Sequence, residues 1–134
     1  MAKLIEIEGI GEVYAQKLQA AGLTTTEGLL AKGASPKGRQ EIAEQTGISA
    51  KLILEWVNHA DLYRIKGVGS EYSDLLEAAG VDTIPELAQR VAANLYKRLV
   101  EVNAQKHLVR QLPTEAQVVS WVEQAKALPR VIEY

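Results

Sequence analysis

Apolar positions along the chain recur at intervals of three and four residues, which is the spacing of a buried helical face. The clearest stripe lies within residues 52–60 and consists of Leu52, Ile53, Trp56, Val57 and Ala60. Valine, isoleucine and threonine elsewhere show none of the strict alternation that predicts a half-buried strand. The pattern therefore predicts an all-α fold.

Residues that commonly occupy helix ends divide the chain into separate helices. The predicted helices span residues 12–21, 35–45, 49–62, 70–79, 94–108 and 114–128. In the first helix we expect Val13, Leu18 and Ala21 to face a core. Gly22 supplies the left-handed residue that ends this helix, because glycine adopts positive φ without strain.

Three helix starts carry the capping-box pattern, in which a threonine is followed three positions later by a glutamate or glutamine. The pairs are Thr24 with Glu27, Thr83 with Glu86, and Thr114 with Gln117. In each pair the two side chains satisfy backbone N–H groups that have no partner inside the helix. Further helices are therefore expected directly after Thr24 and Thr83.

Residues 7–29 and 65–87 repeat one another at an offset of 58, with ten identities over 23 gapless positions. The identical pairs are Ile7 and Ile65, Gly9 and Gly67, Gly11 and Gly69, Tyr14 and Tyr72, Leu18 and Leu76, Ala20 and Ala78, Ala21 and Ala79, Gly22 and Gly80, Thr25 and Thr83, and Leu29 and Leu87. Each copy opens on an Ile-x-Gly-[Ile/Val]-Gly motif, so the sequence predicts an internal duplication.

The duplication extends to the tryptophan helices, where residues 49–60 match residues 114–125 at an offset of 65. The second copy therefore carries about seven extra residues, placed near Gln105 to Leu112. A tryptophan in such a stripe is expected to anchor the core. We expect a single globular domain over residues 1–134, made of two pseudo-repeats, 1–62 and 63–134.

Composition and charge limit the classes of function. The absence of cysteine excludes disulfides, zinc–thiolate sites and thiol nucleophiles. No apolar stretch has the length of a membrane span or a signal peptide, so the expected compartment is the cytoplasm and no membrane partner is expected. The net charge of −2 lacks the basic excess of a general nucleic-acid binder, so any basic surface must be local.

The glycine motif has two physical uses. Glycine on both sides of one apolar residue allows a sharp turn between helices, with Ile10 or Val68 filling the space beneath the turn. The same turn leaves N–H groups unpaired at the positive end of the next helix, which is a suitable place for an anion. The motif by itself is compatible with either use.

Ile-x-Gly-[Ile/Val]-Gly followed by a helix with Tyr and Leu resembles the helix-hairpin-helix motif, which grips the phosphate backbone of DNA without reading sequence. Longer segments, among them IEGIGEVYAQKLQAAGLTTTEGLL and LEWVNHADLYRIKGVGSEYSDLLEAAGVDTIPELA, resemble an uncharacterised bacterial family of unknown function built from tandem helix-hairpin-helix-like repeats. That resemblance implies a compact helical fold of the SAM or helix-hairpin-helix type. It also implies a nucleic-acid-binding or protein-binding role, with no catalytic residues.

The residues around the two turns differ in charge. The first turn, Gly9, Ile10 and Gly11, is surrounded by Glu6, Glu8 and Glu12, so a structural role is expected for it. The second turn offers candidates for phosphate binding. These are Arg64, Lys66, Gly67, Val68, Gly69 and Ser70, with Glu71 close by.

A second group of basic residues follows in the longer half. It contains Lys97, Arg98, Lys106, His107 and Arg110 around a single acidic residue, Glu101. One interpretation is a solvated helix face with Lys97 and Glu101 paired four residues apart. The other is a basic strip, with Lys97 and Arg98 next to the second turn, that follows an acidic polymer.

No catalytic motif or metal-ligand spacing occurs, so we expect neither enzymatic activity nor a cofactor. Two hypotheses remain. The first is sequence-independent association with a DNA or RNA backbone through the second turn. The second is a protein-interaction or scaffold module, with a protein partner or self-association, in which the glycine turns are purely structural.

Overall fold

A computed structural model describes residues 3–7 and 9–134, and all the regular secondary-structure elements in these residues are helices. A 3₁₀ turn at Leu4–Glu6 precedes eight α-helices within this described part. The helices are α1 (Glu12–Ala20), α2 (Thr26–Gly33), α3 (Pro36–Thr46), α4 (Ala50–Leu62), α5 (Ser70–Ala78), α6 (Ile84–Ala88), α7 (Ala92–Lys106) and α8 (Glu115–Ala127). An isolated antiparallel bridge joins Lys3 to Thr25. The prediction of an all-α fold is confirmed.

The chain divides into two compact units. The first unit contains the described residues up to 61 together with residues 131–134, and the second unit contains residues 62–130. The repeat pattern had assigned residues 131–134 to the second half. In the structure they belong with the first unit, because Glu133 donates its backbone N–H to the carbonyl oxygen of Ala34 at 2.7 Å.

In the first unit, α1 and α2 both pack against α3. Leu18 of α1, Leu29 of α2 and Ile42 of α3 are fully buried, and Ile53 and Trp56 of α4 are also buried. The prediction that Leu18 faces a core is confirmed. Val13 was expected on the same face, yet 66% of its surface is exposed, because it lies in the first turn of α1 and points to solvent.

In the second unit, α8 is the central element, since α6 and α7 both pack against it and α5 packs against α7. The core combines side chains from all four helices. Its fully buried members include Leu75, Leu76, Leu87, Leu95 and Trp121. The expected role of the tryptophan as a core anchor is confirmed here.

Two of the three expected capping boxes do not form as predicted. At α6, Thr83 Oγ1 accepts from Glu86 N at 3.2 Å, but Glu86 Oε1 accepts from the Thr83 hydroxyl, so the reciprocal bond to the backbone is missing. Thr114 and Gln117 form a complete capping box at α8, and Ser35 caps α3 by accepting a hydrogen bond from Gly38 N at 3.0 Å. At α2 the cap is Thr25, whose Oγ1 accepts from Gly28 N at 3.0 Å. The prediction of Thr24 is therefore wrong by one residue.

The second unit is longer than the first in the stretch just before its tryptophan helix. Helix α7 has 15 residues and α3 has 11, and the segment after α7 runs from residue 107 to residue 114 before α8 begins. Both helices end on a left-handed residue, Gly47 with φ of 74° and His107 with φ of 51°. We call residues 107–114 the inserted segment.

Candidate functional site

The second glycine turn, which we call hairpin two, comprises residues 65–70. Val68 donates its N–H to the carbonyl oxygen of Ile65 at 3.1 Å, which closes the turn, and its side chain is only 5% exposed. Gly69 is the N-cap of α5, which begins at Ser70. The expectation that the apolar residue between the glycines fills the space beneath the turn is confirmed.

A tryptophan covers the first glycine of the turn. Gly67 has φ of +96°, and a Cβ atom added to it would lie 3.1 Å from Nε1 of Trp121. The ring of Tyr72 packs on the same tryptophan, with ring centroids 5.3 Å apart and planes tilted by 49°. The backbone conformation and the close indole ring together require glycine at position 67.

The first unit holds an equivalent set of contacts. Gly9 has φ of +92°, and a Cβ atom there would lie 3.5 Å from Nε1 of Trp56. Tyr14 packs on Trp56 with ring centroids 5.3 Å apart and planes tilted by 56°. The turn, tyrosine and tryptophan therefore form the same packed unit in both halves.

Two of the predicted phosphate ligands make bonds that hold the second unit together. Arg64 donates from Nη2 to the carbonyl oxygen of Pro129 at 3.1 Å. The backbone N–H of Lys66 donates to Gln124 Oε1 at 2.8 Å, and Gln124 Nε2 donates to the carbonyl oxygen of Lys66 at 3.3 Å. Gln124 is a residue that the sequence analysis missed, because only the fold brings α8 against the turn.

The N-terminus of α5 offers backbone donors. Within the described residues no side chain caps it, and the first intrahelical bond runs from Ser73 N to the carbonyl oxygen of Gly69 at 2.9 Å. The N–H groups from Gly69 to Tyr72 come before that bond and have no acceptor inside the helix. The helix dipole adds a partial positive charge at the same place.

A cleft of about 460 Å³ opens at this helix end. It is lined by Gly67, Gly69, Ser70, Glu71, Tyr72, Arg110 and Gln111. The inserted segment reaches the cleft because Tyr72 donates its hydroxyl to the carbonyl oxygen of Gln111 at 2.9 Å. Arg110 therefore lies beside hairpin two, together with one opposing carboxylate, that of Glu71.

Lys97 and Arg98 lie on the exposed face of α7, away from its buried residues Leu95 and Leu99. Arg98 pairs with Glu101, with Nη1 and Oε2 3.6 Å apart. Among the described residues no hydrogen bond or ion pair joins either cation to hairpin two. The ion pair on this face thus uses Arg98 where the sequence analysis had paired Lys97 with Glu101.

The first turn, which we call hairpin one, has the same backbone and a different surface. Ile10 is buried beneath the turn, and Gly11 is the N-cap of α1 with no side-chain cap. Glu12 and Val13 follow at the exposed helix end. Glu8, which the sequence analysis counted among the surrounding carboxylates, lies outside the described residues.

The described residues contain no group of three or more histidine, cysteine, aspartate or glutamate side chains placed to hold a metal ion. None of their helices combines the length and apolar character that crossing a membrane requires.

The fold and the cleft define an all-helical protein with a glycine turn at each of two uncapped helix ends. The chain belongs to the family described as a domain of unknown function (DUF4332), whose family model matches residues 8–128. The expected membership of an uncharacterised family is confirmed. No curated protein and no solved structure matches the chain significantly.

Proposed function

We propose that the protein is a non-catalytic binding module that holds the phosphate backbone of a nucleic acid through hairpin two, without reading base sequence. The observation that carries this proposal is the cleft at the N-terminus of α5, which is lined by Gly69 and Ser70 of the helix end and by Arg110 of the inserted segment. Helix N-termini bind phosphate through backbone N–H donors, and arginine binds it through a planar fork.

The proposal includes a duplicated helix-hairpin-helix-like architecture. Three features support it: the sequence repeat, the positive φ at Gly9 and Gly67, and the tyrosine–tryptophan packing at 5.3 Å in each unit. Equal backbone turns with different surfaces also explain why only one of the two is proposed to bind phosphate.

The charged and polar residues near the cleft have different roles in the proposed phosphate binding. Arg110 and the exposed Lys66 supply positive charge, and the N–H groups of Ser70 and its neighbours supply directed donors. Arg64 acts indirectly, because its guanidinium holds the carbonyl oxygen of Pro129. Glu71 opposes an anion, so binding is expected to be weak and confined to a short stretch of backbone.

A fluorescence-anisotropy titration with a labelled duplex of random sequence tests the proposal. Arg110→Glu and Lys66→Glu are each expected to weaken binding about tenfold, because a phosphate contact is replaced by repulsion. Glu71→Gln is expected to tighten binding, since it removes the opposing charge. Lys37→Glu, a matched change on the exposed surface of the first unit, controls for net charge.

Each result of this titration supports or contradicts a specific part of the proposal. Absence of binding even at low salt would remove the nucleic-acid proposal, and equal losses in Arg110→Glu and Lys37→Glu would move binding away from hairpin two. Lys97→Glu and Arg98→Glu, tested in the same assay, show whether the basic face of α7 takes part. A single-stranded RNA probe in parallel distinguishes DNA from RNA.

We propose protein contact through the surface of hairpin one as the alternative function. Val13 is exposed there in the first turn of α1, next to Glu12, where an anion would be repelled. Self-association through this surface predicts a mass that rises with protein concentration and falls to the monomer value in Val13→Asp. Light scattering that reports a monomer at every concentration would exclude this form of contact.

A further inference from the structure

Residues 131–134, which we call the tail, lie against the first unit and are bound there through their backbone. The backbone N–H of Glu133 donates to the carbonyl oxygen of Ala34, and Nη2 of Arg39 donates to the carbonyl oxygen of Glu133, both at 2.7 Å. Both backbone polar groups of Glu133 are therefore satisfied by the segment that joins α2 to α3 and by the start of α3.

The side chains on either side of Glu133 are also held. Ile132 is 1% exposed, and the hydroxyl of Tyr134 donates to Oδ1 of Asn58 at 2.8 Å. The Glu133 side chain faces solvent. Main-chain bonds at one residue with side-chain contacts at its two neighbours are the arrangement by which proteins recognise short peptides.

Hydrogen bonds within the first unit hold the Arg39 side chain in position for this contact. Its side chain is buried, with 6% exposed, and Nη1 donates to the carbonyl oxygens of Gly33 at 2.8 Å and Ala34 at 3.2 Å. All the described partners of this guanidinium are carbonyl oxygens, and the one from the tail is bound by Nη2. A buried guanidinium needs hydrogen-bond acceptors for its N–H groups, and at Nη2 the tail supplies one.

The tail has the exposure of a segment that opens easily. Tyr134 is 53% exposed, Glu133 is exposed and Val131 is half-buried, so Ile132 alone among the four is fully buried. Segments with little buried apolar surface open locally far more often than a core helix unfolds. When the tail leaves, the Ala34 carbonyl oxygen and Nη2 of Arg39 each lose a partner that another peptide can replace.

We infer that the surface formed by Ala34, Arg39 and Asn58 is a peptide-binding site, and that the tail is its resident ligand. The site takes a short peptide with an aliphatic residue two positions before a tyrosine, as in Ile132 and Tyr134. This inference is independent of the nucleic-acid proposal, since none of these residues lines the cleft at hairpin two.

The test uses the full chain with Ile132→Asp, which displaces the tail because a carboxylate does not remain in an apolar position. A fluorescein-labelled peptide with the sequence of residues 130–134 is titrated against this variant and against the wild-type chain. We expect the variant to bind at least about tenfold more tightly, since the tethered tail competes at high effective concentration in the wild type. Glu133→Gln, which changes only an exposed side chain, should behave as the wild type.

Two results would overturn the inference: no peptide binding by an Ile132→Asp variant that still melts cooperatively, or equal binding of a control peptide with aspartate in place of its isoleucine. If this variant does not fold, amide exchange in the wild-type chain decides. The Glu133 amide should exchange at least about tenfold faster than buried amides of α3 and with little dependence on urea. Exchange of Glu133 only with global unfolding would make the tail part of the core and end the proposal.

Discussion

Gly67 and Gly69 lie in one turn, but they differ in backbone conformation and in how closely other atoms approach them. Gly67 has positive φ and lies under Trp121, whereas Gly69 has φ of −109° and open space where a Cβ would be. We expect Gly67→Ala to lower the free energy of unfolding by about 1–3 kcal/mol. Gly69→Ala, the matched control, should cost less than about 1 kcal/mol. Urea denaturation measures both, and equal losses would contradict both reasons for glycine at position 67.

The sequence shows the glycine pair but not why the first glycine is required. Positive φ at Gly67 follows from the repeated motif, since turns of this kind favour glycine. The second reason is Trp121, whose Nε1 would lie 3.1 Å from a Cβ atom at position 67 and which belongs to a helix far along the chain. A contact between distant segments leaves no local pattern, so only the packed structure reveals it.

Glu86, in the first turn of α6, makes stability depend on pH. Its hydrogen bond with the Asp82 carboxyl raises the pKa of Glu86 above the ordinary 4.5, with a further rise from burial. The folded state therefore holds this proton more tightly than the unfolded state. The resulting stabilisation is complete below pH 4.5 and is lost as the pH rises through the folded-state pKa.

Replacing Glu86 by glutamine should consequently stabilise the protein at neutral pH, because the two carboxylates no longer repel each other. The gain is expected to stay below about 1 kcal/mol, since solvent screens the pair and the change also weakens the hydrogen bond from the Thr83 hydroxyl and a favourable helix-dipole contact. It should fade as the pH approaches 4. Thermal melts at both pH values measure it. Glu115→Gln, in the first turn of α8, is the control and should be slightly destabilising because it removes a favourable helix-dipole contact. A neutral-pH loss in Glu86→Gln would contradict the argument.

Adjacent threonines at the start of α2 allow a direct test of helix capping. Thr25 accepts a hydrogen bond from Gly28 N, and Thr24 is exposed outside the helix. Thr25→Ala should lower stability by about 1 kcal/mol, and Thr24→Ala should change it by less than about 0.5 kcal/mol. Chemical denaturation of both variants measures the difference, and the reverse order would place the cap at Thr24.

The capping error has an identifiable origin. Thr24 and Glu27 match the capping-box spacing, whereas Thr25 is followed three residues later by glycine, so the local pattern favoured the wrong residue. The internal repeat pointed the other way, because Thr25 pairs with Thr83, which caps α6. Here a comparison between the two halves was more informative than the motif.

The inserted segment is joined to α5 by the hydroxyl of Tyr72 and to α7 by two hydrogen bonds between Asn103 and the backbone of Val109. Tyr72 donates to the carbonyl oxygen of Gln111, next to Arg110. Tyr72→Phe keeps the ring on Trp121 and removes this bond, so it should lower stability by about 0.5–1.5 kcal/mol. Hydrogen exchange should accelerate in residues 107–114 and not in α8. Unchanged exchange there would show that the inserted segment is held by other contacts.

The number of cations at the proposed site, and not the net charge of −2, sets the expected salt dependence of nucleic-acid binding. Arg110 lines the cleft, and the exposed Lys66 precedes Gly67 in hairpin two. Two neutralised phosphates give a slope of about −2 in a plot of log K against log salt. Anisotropy titrations at several salt concentrations measure this slope. A value steeper than about −4 would mean that further cations, such as Lys97 and Arg98, also contact the backbone.

The features that the sequence predicted correctly depend on interactions between residues that are close together in the chain. Helical periodicity, glycine and threonine at helix ends, and the repeated motif predicted the helices and the two buried turn residues, Ile10 and Val68. Each of these signals depends on neighbours within a few positions, so it can be read directly. The lack of cysteine limited the chemistry in the same direct way.

Contacts between distant segments were decided by the tertiary structure. Arg110 reaches hairpin two, Gln124 binds the Lys66 backbone, and residues 131–134 join the first unit at Arg39. None of these contacts follows from periodicity, because each is chosen by how whole helices pack and where their connections return. The sequence thus determined the helices and the turns, while packing alone decided which side chains meet at the proposed phosphate and peptide sites.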